Sequence, residues 1–218
     1  MLLETVSWTG KYWEDKYKKA IDPVVRNGFE IAQHEVFTGI TLEPISVNIE
    51  RVGYTSYTRV LGSCGRPDLI KLFVTRIDAK NVSRGQDKDF VETIIHELAH
   101  AARYQKVGTE TKKDLIERAS AEGIAEYAEK LIWGELESPV ANNTEADALT
   151  NQFLLDVFNP NISDVEENRI KTRDSWFNSE DGSNLGYLIG FNSVLQRVNE
   201  GANLKTLMSM TPEEIFGV

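Results

Sequence analysis

The stretch Asp87-Lys88-Asp89-Phe90-Val91-Glu92-Thr93-Ile94-Ile95-His96-Glu97-Leu98-Ala99-His100-Ala101-Ala102 decides how the rest of the chain is read. Phe90, Val91, Ile94, Ile95, Leu98, Ala101 and Ala102 recur at helical spacing and leave a broad apolar surface, so this helix runs through the core. Asp87 or Asp89 is placed to cap its start, and Gly108 closes it after about Val107. Two of the chain's three histidines, His96 and His100, stand four positions apart on it and share a face. A buried helix does not carry two imidazoles and a carboxylate without partners for them. One metal ion shared by both rings is such a partner. Glu97 projects about 100° further round the axis, where it can face a metal-bound water without taking a ligand position.

Working outward, apolar residues from Trp13 to about Phe37 keep helical spacing and predict one or two helices, with Pro23 at a kink or a start. Ile45 to Val52 alternates with period two, which predicts a half-buried strand. Tyr54 to Asp68, with Gly62, Gly65 and Pro67, predicts a loop or hairpin, and Leu69 to Ile77 a second strand. On the other side, helices are predicted from Thr111 to about Trp133, from Thr144 to Phe158 and from Leu185 to Asn199. Asn159-Pro160 stops the second of these, and Thr111 with Asp114 opens the first. Thr211-Pro212-Glu213-Glu214 opens a short final helix. No repeat, low-complexity tract or linker cuts the chain. The expectation is a single α+β domain over residues 1–218, with a small antiparallel sheet early and helices late.

Composition narrows the function classes. The chain has 218 residues, 41% of them hydrophobic and 27% charged, values that suit a globular chain with a sizeable core. Lys plus Arg number 24 against 34 Asp plus Glu, a net charge of −10 that disfavours nucleic acid or an anionic membrane as the main partner. One cysteine excludes an internal disulfide and a multi-cysteine zinc site. No apolar run approaches the roughly 20 residues of a membrane span. Met1 to Trp8 lacks the basic and apolar regions of a signal peptide, so a cytoplasmic location is expected. Oligomeric state and substrate identity have no signature in these residues.

A hydrolytic zinc site needs a third protein ligand and an open position for water. No histidine follows His100, which excludes the class with a third histidine six positions later. The candidates are a downstream carboxylate, Cys64 or His34. Glu122 leads among the carboxylates. It sits mid-way along the helix after the histidines, where Glu122 and Glu126 lie beside the core stripe Leu115, Ala119, Ile124, Tyr127, Ala128 and Leu131. Gly123 would let the two helices approach closely at the ligand. Glu126 is placed to accept a hydrogen bond from the outer nitrogen of a ligating histidine. Cys64, in Gly62-Ser63-Cys64-Gly65, would instead give a deformylase-like amidohydrolase. His34, on the amphipathic N-terminal region, is a bystander.

Three segments occur in the order found in a known family: His96 to His100, then Ser120-Ala121-Glu122-Gly123-Ile124-Ala125-Glu126-Tyr127, then Gly186-Tyr187-Leu188-Ile189-Gly190-Phe191. They resemble the HExxH, EG-[IL]-A and GYxxG boxes of a predicted zinc-dependent protease family that carries a domain-of-unknown-function label (family 2268). That family is grouped with the gluzincins, the thermolysin-like metallopeptidases. The resemblance spans about residues 85 to 200. It implies a zincin-like fold, Zn2+ held by His96, His100 and Glu122, Glu97 as general base, and a peptide or protein substrate. The chain departs from the thermolysin type in lacking a downstream histidine for the transition state. The resemblance suggests Tyr187 as the substitute, a phenol donating to the developing oxyanion. It also implies that the strand Leu69 to Ile77 lies above the site, where an extended peptide could pair with it. The competing possibility is a non-catalytic, zinc-stabilised module that binds a peptide or partner. An intact Glu97 argues against it, because a structural site closes all four positions and has no use for a base.

Overall fold

A computed structural model describes residues 2–10, 13–53, 60–82, 87–108, 115–134, 143–157, 171–172, 175–177 and 185–218. The chain divides into two compact units, Met1–Thr109 with Leu131–Trp133, and Glu110–Lys130 with Gly134–Val218. The architecture is α+β, with a small sheet in the first unit.

That sheet has four strands, β1 (Leu3–Gly10), β2 (Ile45–Arg51), β3 (Leu61–Arg66) and β4 (Leu69–Val74), in the order β1-β2-β4-β3. It is mixed and not antiparallel as expected: β1–β2 and β2–β4 run parallel, and only the β3–β4 hairpin is antiparallel. The cause is connectivity. A parallel neighbour needs a crossover, and α1 (Asp15–Ile31) supplies one between β1 and β2. Strand β2 alternates as its sequence requires, with Ile45, Val47 and Ile49 fully buried, and Ile70, Leu72 and Val74 do the same in β4. Strand β1 is a polar edge whose Thr5 and Thr9 hydroxyls bond Ser46 and Asn48 at 3.0 and 2.7 Å. The predicted second strand stops at Val74 because Thr75 begins a helix. Asp78 accepts from the Thr75 backbone and hydroxyl at 2.8 and 2.7 Å, opening α2 (Arg76–Val82).

Helix α1 contains Pro23 and continues into a π-helical segment, Ala32–Val36. Its Gly28 presses on Ile94 of α3 (Lys88–Val107), whose N-cap is Asp87 and whose C-cap is Gly108 with φ +88°. Ile94, Ile95 and Leu98 are wholly buried, each contributing roughly 1.5–3 kcal/mol of apolar burial. Polar ties fix the helix on the sheet. Thr93 donates to the Val60 carbonyl at 3.0 Å, and Gln105 donates to the Pro67 carbonyl in the hairpin turn at 2.8 Å.

The second unit holds α4 (Leu115–Leu131), α5 (Asn143–Val157), α6 (Leu185–Asn199), α7 (Leu204–Leu207) and α8 (Pro212–Phe216). Helix α6 matches its predicted bounds. A capping box opens α8, where Thr211 and Glu214 exchange bonds of 2.7 and 3.2 Å. Helix α7, capped by Asn203, was not anticipated. The predicted start of α4 at Thr111 and Asp114, and the stop at Asn159-Pro160, lie outside the described residues. Phe153 is the hub of an aromatic cluster with Trp176, Phe177 and Phe216.

Helices α4 and α6 cross backbone to backbone. A Cβ on Gly123 would strike the Gly190 carbonyl, and one on Gly190 would strike the Ala119 carbonyl. Gly123 therefore makes room for α6. Among the described residues no helix is long and apolar enough to cross a membrane.

Candidate metal centre

On α3 the i, i+4 spacing turns the two half-buried imidazoles toward each other. The Nε2 atoms of His96 and His100 are 3.3 Å apart and the rings stand at 71°. Two imidazole nitrogens each about 2.0–2.1 Å from one tetrahedral ion are held roughly 3.3–3.4 Å apart. The pair is thus spaced for a shared ion.

Glu97, one position on, is 6% exposed. It points at β3, where its side chain takes the volume that a Cβ on Gly62 would fill. Among the described residues strand β3 is an edge, whereas β4 has β2 on one side and β3 on the other. Strand β4 therefore cannot accept a peptide strand, contrary to the expectation for Leu69 to Ile77. Any strand added at this end of the sheet must go to β3.

Cys64 lies two residues beyond Gly62 on β3, and its buried thiol donates to the Arg66 carbonyl at 3.1 Å. Among the described residues it forms no cluster with the two histidines whose ligand atoms could share an ion. His34 is exposed on the π-helical segment and is likewise outside any such cluster.

On α4, Arg118, Glu122, Glu126 and Glu129 fall on successive turns of one face. Glu122 and Glu126 are half-buried and Glu129 is buried. Glu129 escaped the sequence reasoning, although its place three positions after Glu126 continues the row of carboxylates. Arg118 escaped it as well, and its signal is the same spacing read one turn backward.

Tyr187, on the first turns of α6, meets this face within the same unit. Burial pushes its phenol up to about 12, the Glu122 charge adds to the shift, and the Arg118 guanidinium opposes it. The hydroxyl therefore keeps its proton at any working pH. Close packing of Gly123 against Gly190 is what brings Tyr187 to Glu122.

A family model described as predicted Zn-dependent protease (DUF2268) matches residues 45–217. No curated protein and no solved structure matches the chain. The matched span begins at β2 and ends at Gly217, one residue past the last helix, taking in α3, α4 and α6. With most of its length accounted for in this way, the chain belongs to this family of predicted zinc-dependent proteases.

Proposed function

We propose that residues 1–218 act as one metallopeptidase domain of the gluzincin type, in which His96, His100 and Glu122 hold zinc and Glu97 is the general base. The observation that carries this reading is the 3.3 Å separation of the two Nε2 atoms, the spacing required of imidazoles on one tetrahedral ion. Glu122 supports it as the half-buried carboxylate that Tyr187 and Arg118 flank.

Held there, zinc would supply a water acidified toward a pKa of about 7 and a Lewis acid for the scissile carbonyl. Glu97 takes the proton of the attacking water and delivers it to the leaving amine nitrogen. Its burial against Gly62 restricts its rotamers, so the base is oriented before substrate arrives. Tyr187 remains a phenol and donates to the developing oxyanion. Glu126 accepts from the outer nitrogen of a ligating histidine and fixes its tautomer. An extended peptide adds to the β3 edge by main-chain hydrogen bonds, on the strand that Glu97 faces. A Cys64-ligated, deformylase-like site has no geometric support, since the thiol is turned to the Arg66 carbonyl.

Metal analysis combined with peptide hydrolysis tests this. Wild-type protein is expected to hold one zinc and to cleave peptides. Glu97→Gln should keep the metal and lose about 10²–10⁴-fold in kcat. Glu122→Gln should weaken zinc retention, and Cys64→Ala should leave it intact. Undiminished turnover in Glu97→Gln refutes the mechanism.

A further inference from the structure

One cation on the α4 face is not used by the scheme above. Arg118 lies one turn before Glu122 and is half-buried. Among the described residues no carboxylate forms an ion pair with it. Its Cζ sits 4.3 Å above the centroid of the Phe177 ring. Phe177 is itself immobilised: it is 2% exposed, fills the space above Gly186, and packs edge-on to Tyr187 with centroids 5.9 Å apart. The guanidinium charge acts on the Tyr187 hydroxyl, as the Glu122 carboxylate does. The ring contact thus holds the guanidinium at Phe177, and among the described residues no ion pair takes its N–H donors.

A partly desolvated guanidinium is stabilised by a counter-ion, and a carboxylate received bidentately is the partner its fork matches best. The same helix face continues in Glu122, Glu126 and Glu129, so an anion is repelled along the row and accepted only at the Arg118 end.

We propose that Arg118 is the substrate-binding residue that receives a peptide carboxylate, making the enzyme selective for peptides that present one near the scissile bond. The carboxylate is either the substrate's C-terminus or an acidic side chain. This rests on the metallopeptidase reading for the nature of the substrate, and on the Arg118–Phe177–Tyr187 arrangement for the binding step.

Binding to zinc-free protein is measured first, so that carboxylate coordination to the metal cannot contribute. The probes are acetyl-trialanine as free acid and as C-terminal amide, and acetylated pentapeptide amides with a central glutamate or a central glutamine. One acidic probe is expected to bind at least ten-fold more tightly than its neutral twin, and which pair shows this identifies the source of the carboxylate. Arg118→Gln should erase the difference, and Arg118→Lys, which keeps the charge but not the fork, should restore only part of it. The acid–neutral comparison uses wild-type protein alone, so it stands even where a variant fails to fold. Equal binding within both pairs overturns the proposal, and so does a folded Arg118→Gln protein that keeps the preference. With zinc loaded, the preference should appear in KM, with kcat changed by less than about three-fold. Carboxylate-dependent binding without hydrolysis of any peptide removes the metallopeptidase reading and leaves the Arg118 site. Hydrolysis without carboxylate preference does the reverse.

Discussion

Glu97 and Gly62 are matched across the α3–β3 contact: the side chain of one occupies the volume that a side chain on the other would need. Gly62→Ala is therefore predicted to displace the Glu97 carboxylate while leaving the histidines in place. A base misplaced by about an ångström costs on the order of 10²-fold in turnover. The expected pattern is loss of kcat with full zinc content and a near-native circular dichroism spectrum. Full activity in Gly62→Ala would show that the base is not seated on β3.

Zinc should stabilise the folded chain through its histidines. With free zinc near 1,000 times its dissociation constant, the added stability is about 4 kcal/mol. Calorimetry should show a higher unfolding midpoint for the zinc-loaded form than after chelation, and peptidase activity should vanish on chelation. In His100→Ala the two midpoints should coincide. A chelator-sensitive midpoint that persists in that variant would place the metal elsewhere.

The α4–α6 crossing should be intolerant of a single methyl group. Gly190→Ala meets the Ala119 carbonyl, backbone that cannot step aside, and is predicted to cost about 1–3 kcal/mol or more from overpacking. Gly65→Ala has no heavy atom within 4 Å of the added carbon and should change stability by no more than a few tenths of a kcal/mol. Urea midpoints of the two variants compare them directly. Equal midpoints would mean that the helices do not approach this closely.

In the hairpin turn, the Arg66 guanidinium lies 2.6 Å from Asp68 and holds its carboxyl below the ordinary value of 3.8. A depressed carboxyl pKa adds stability above the unfolded-state value, and that contribution is lost as the pH falls through the folded one. The pair is exposed, so the effect belongs to the turn and not to global stability. An NMR titration should place the Asp68 midpoint below 3.8 and return it to the ordinary range in Arg66→Gln. An Asp68 midpoint unmoved by Arg66→Gln would discount the pair.

Local signals carried much of this structure. Helix α3 was legible nearly to the residue because its apolar period and terminal glycine lie within one short segment, although Asp87 holds the N-cap position without a side-chain cap bond. Helix α6 and strand β2 were legible from period alone. Strand β1 was not: as a polar edge it puts Thr5, Ser7 and Thr9 where no core selects apolar residues. Strand direction was also hidden, since β1 and β2 owe their parallel pairing to the crossover and not to either strand's residues. Val74-Thr75-Arg76-Ile77 reads as continuous β sequence, and only the Thr75–Asp78 bonds reveal the helix start. At the site, the histidine pair was written in its own spacing. The seat of Glu97 on Gly62 and the stacking of Arg118 on Phe177 join residues far apart in sequence, where no local period can announce them.

The crossing of α4 and α6 has one more consequence. The position of Tyr187 opposite Glu122 is set by peptide groups abutting at Gly123 and Gly190, with Phe177 packed edge-on to its ring. The alignment behaves as a mechanical stop. It leaves almost no room for change at the two glycines.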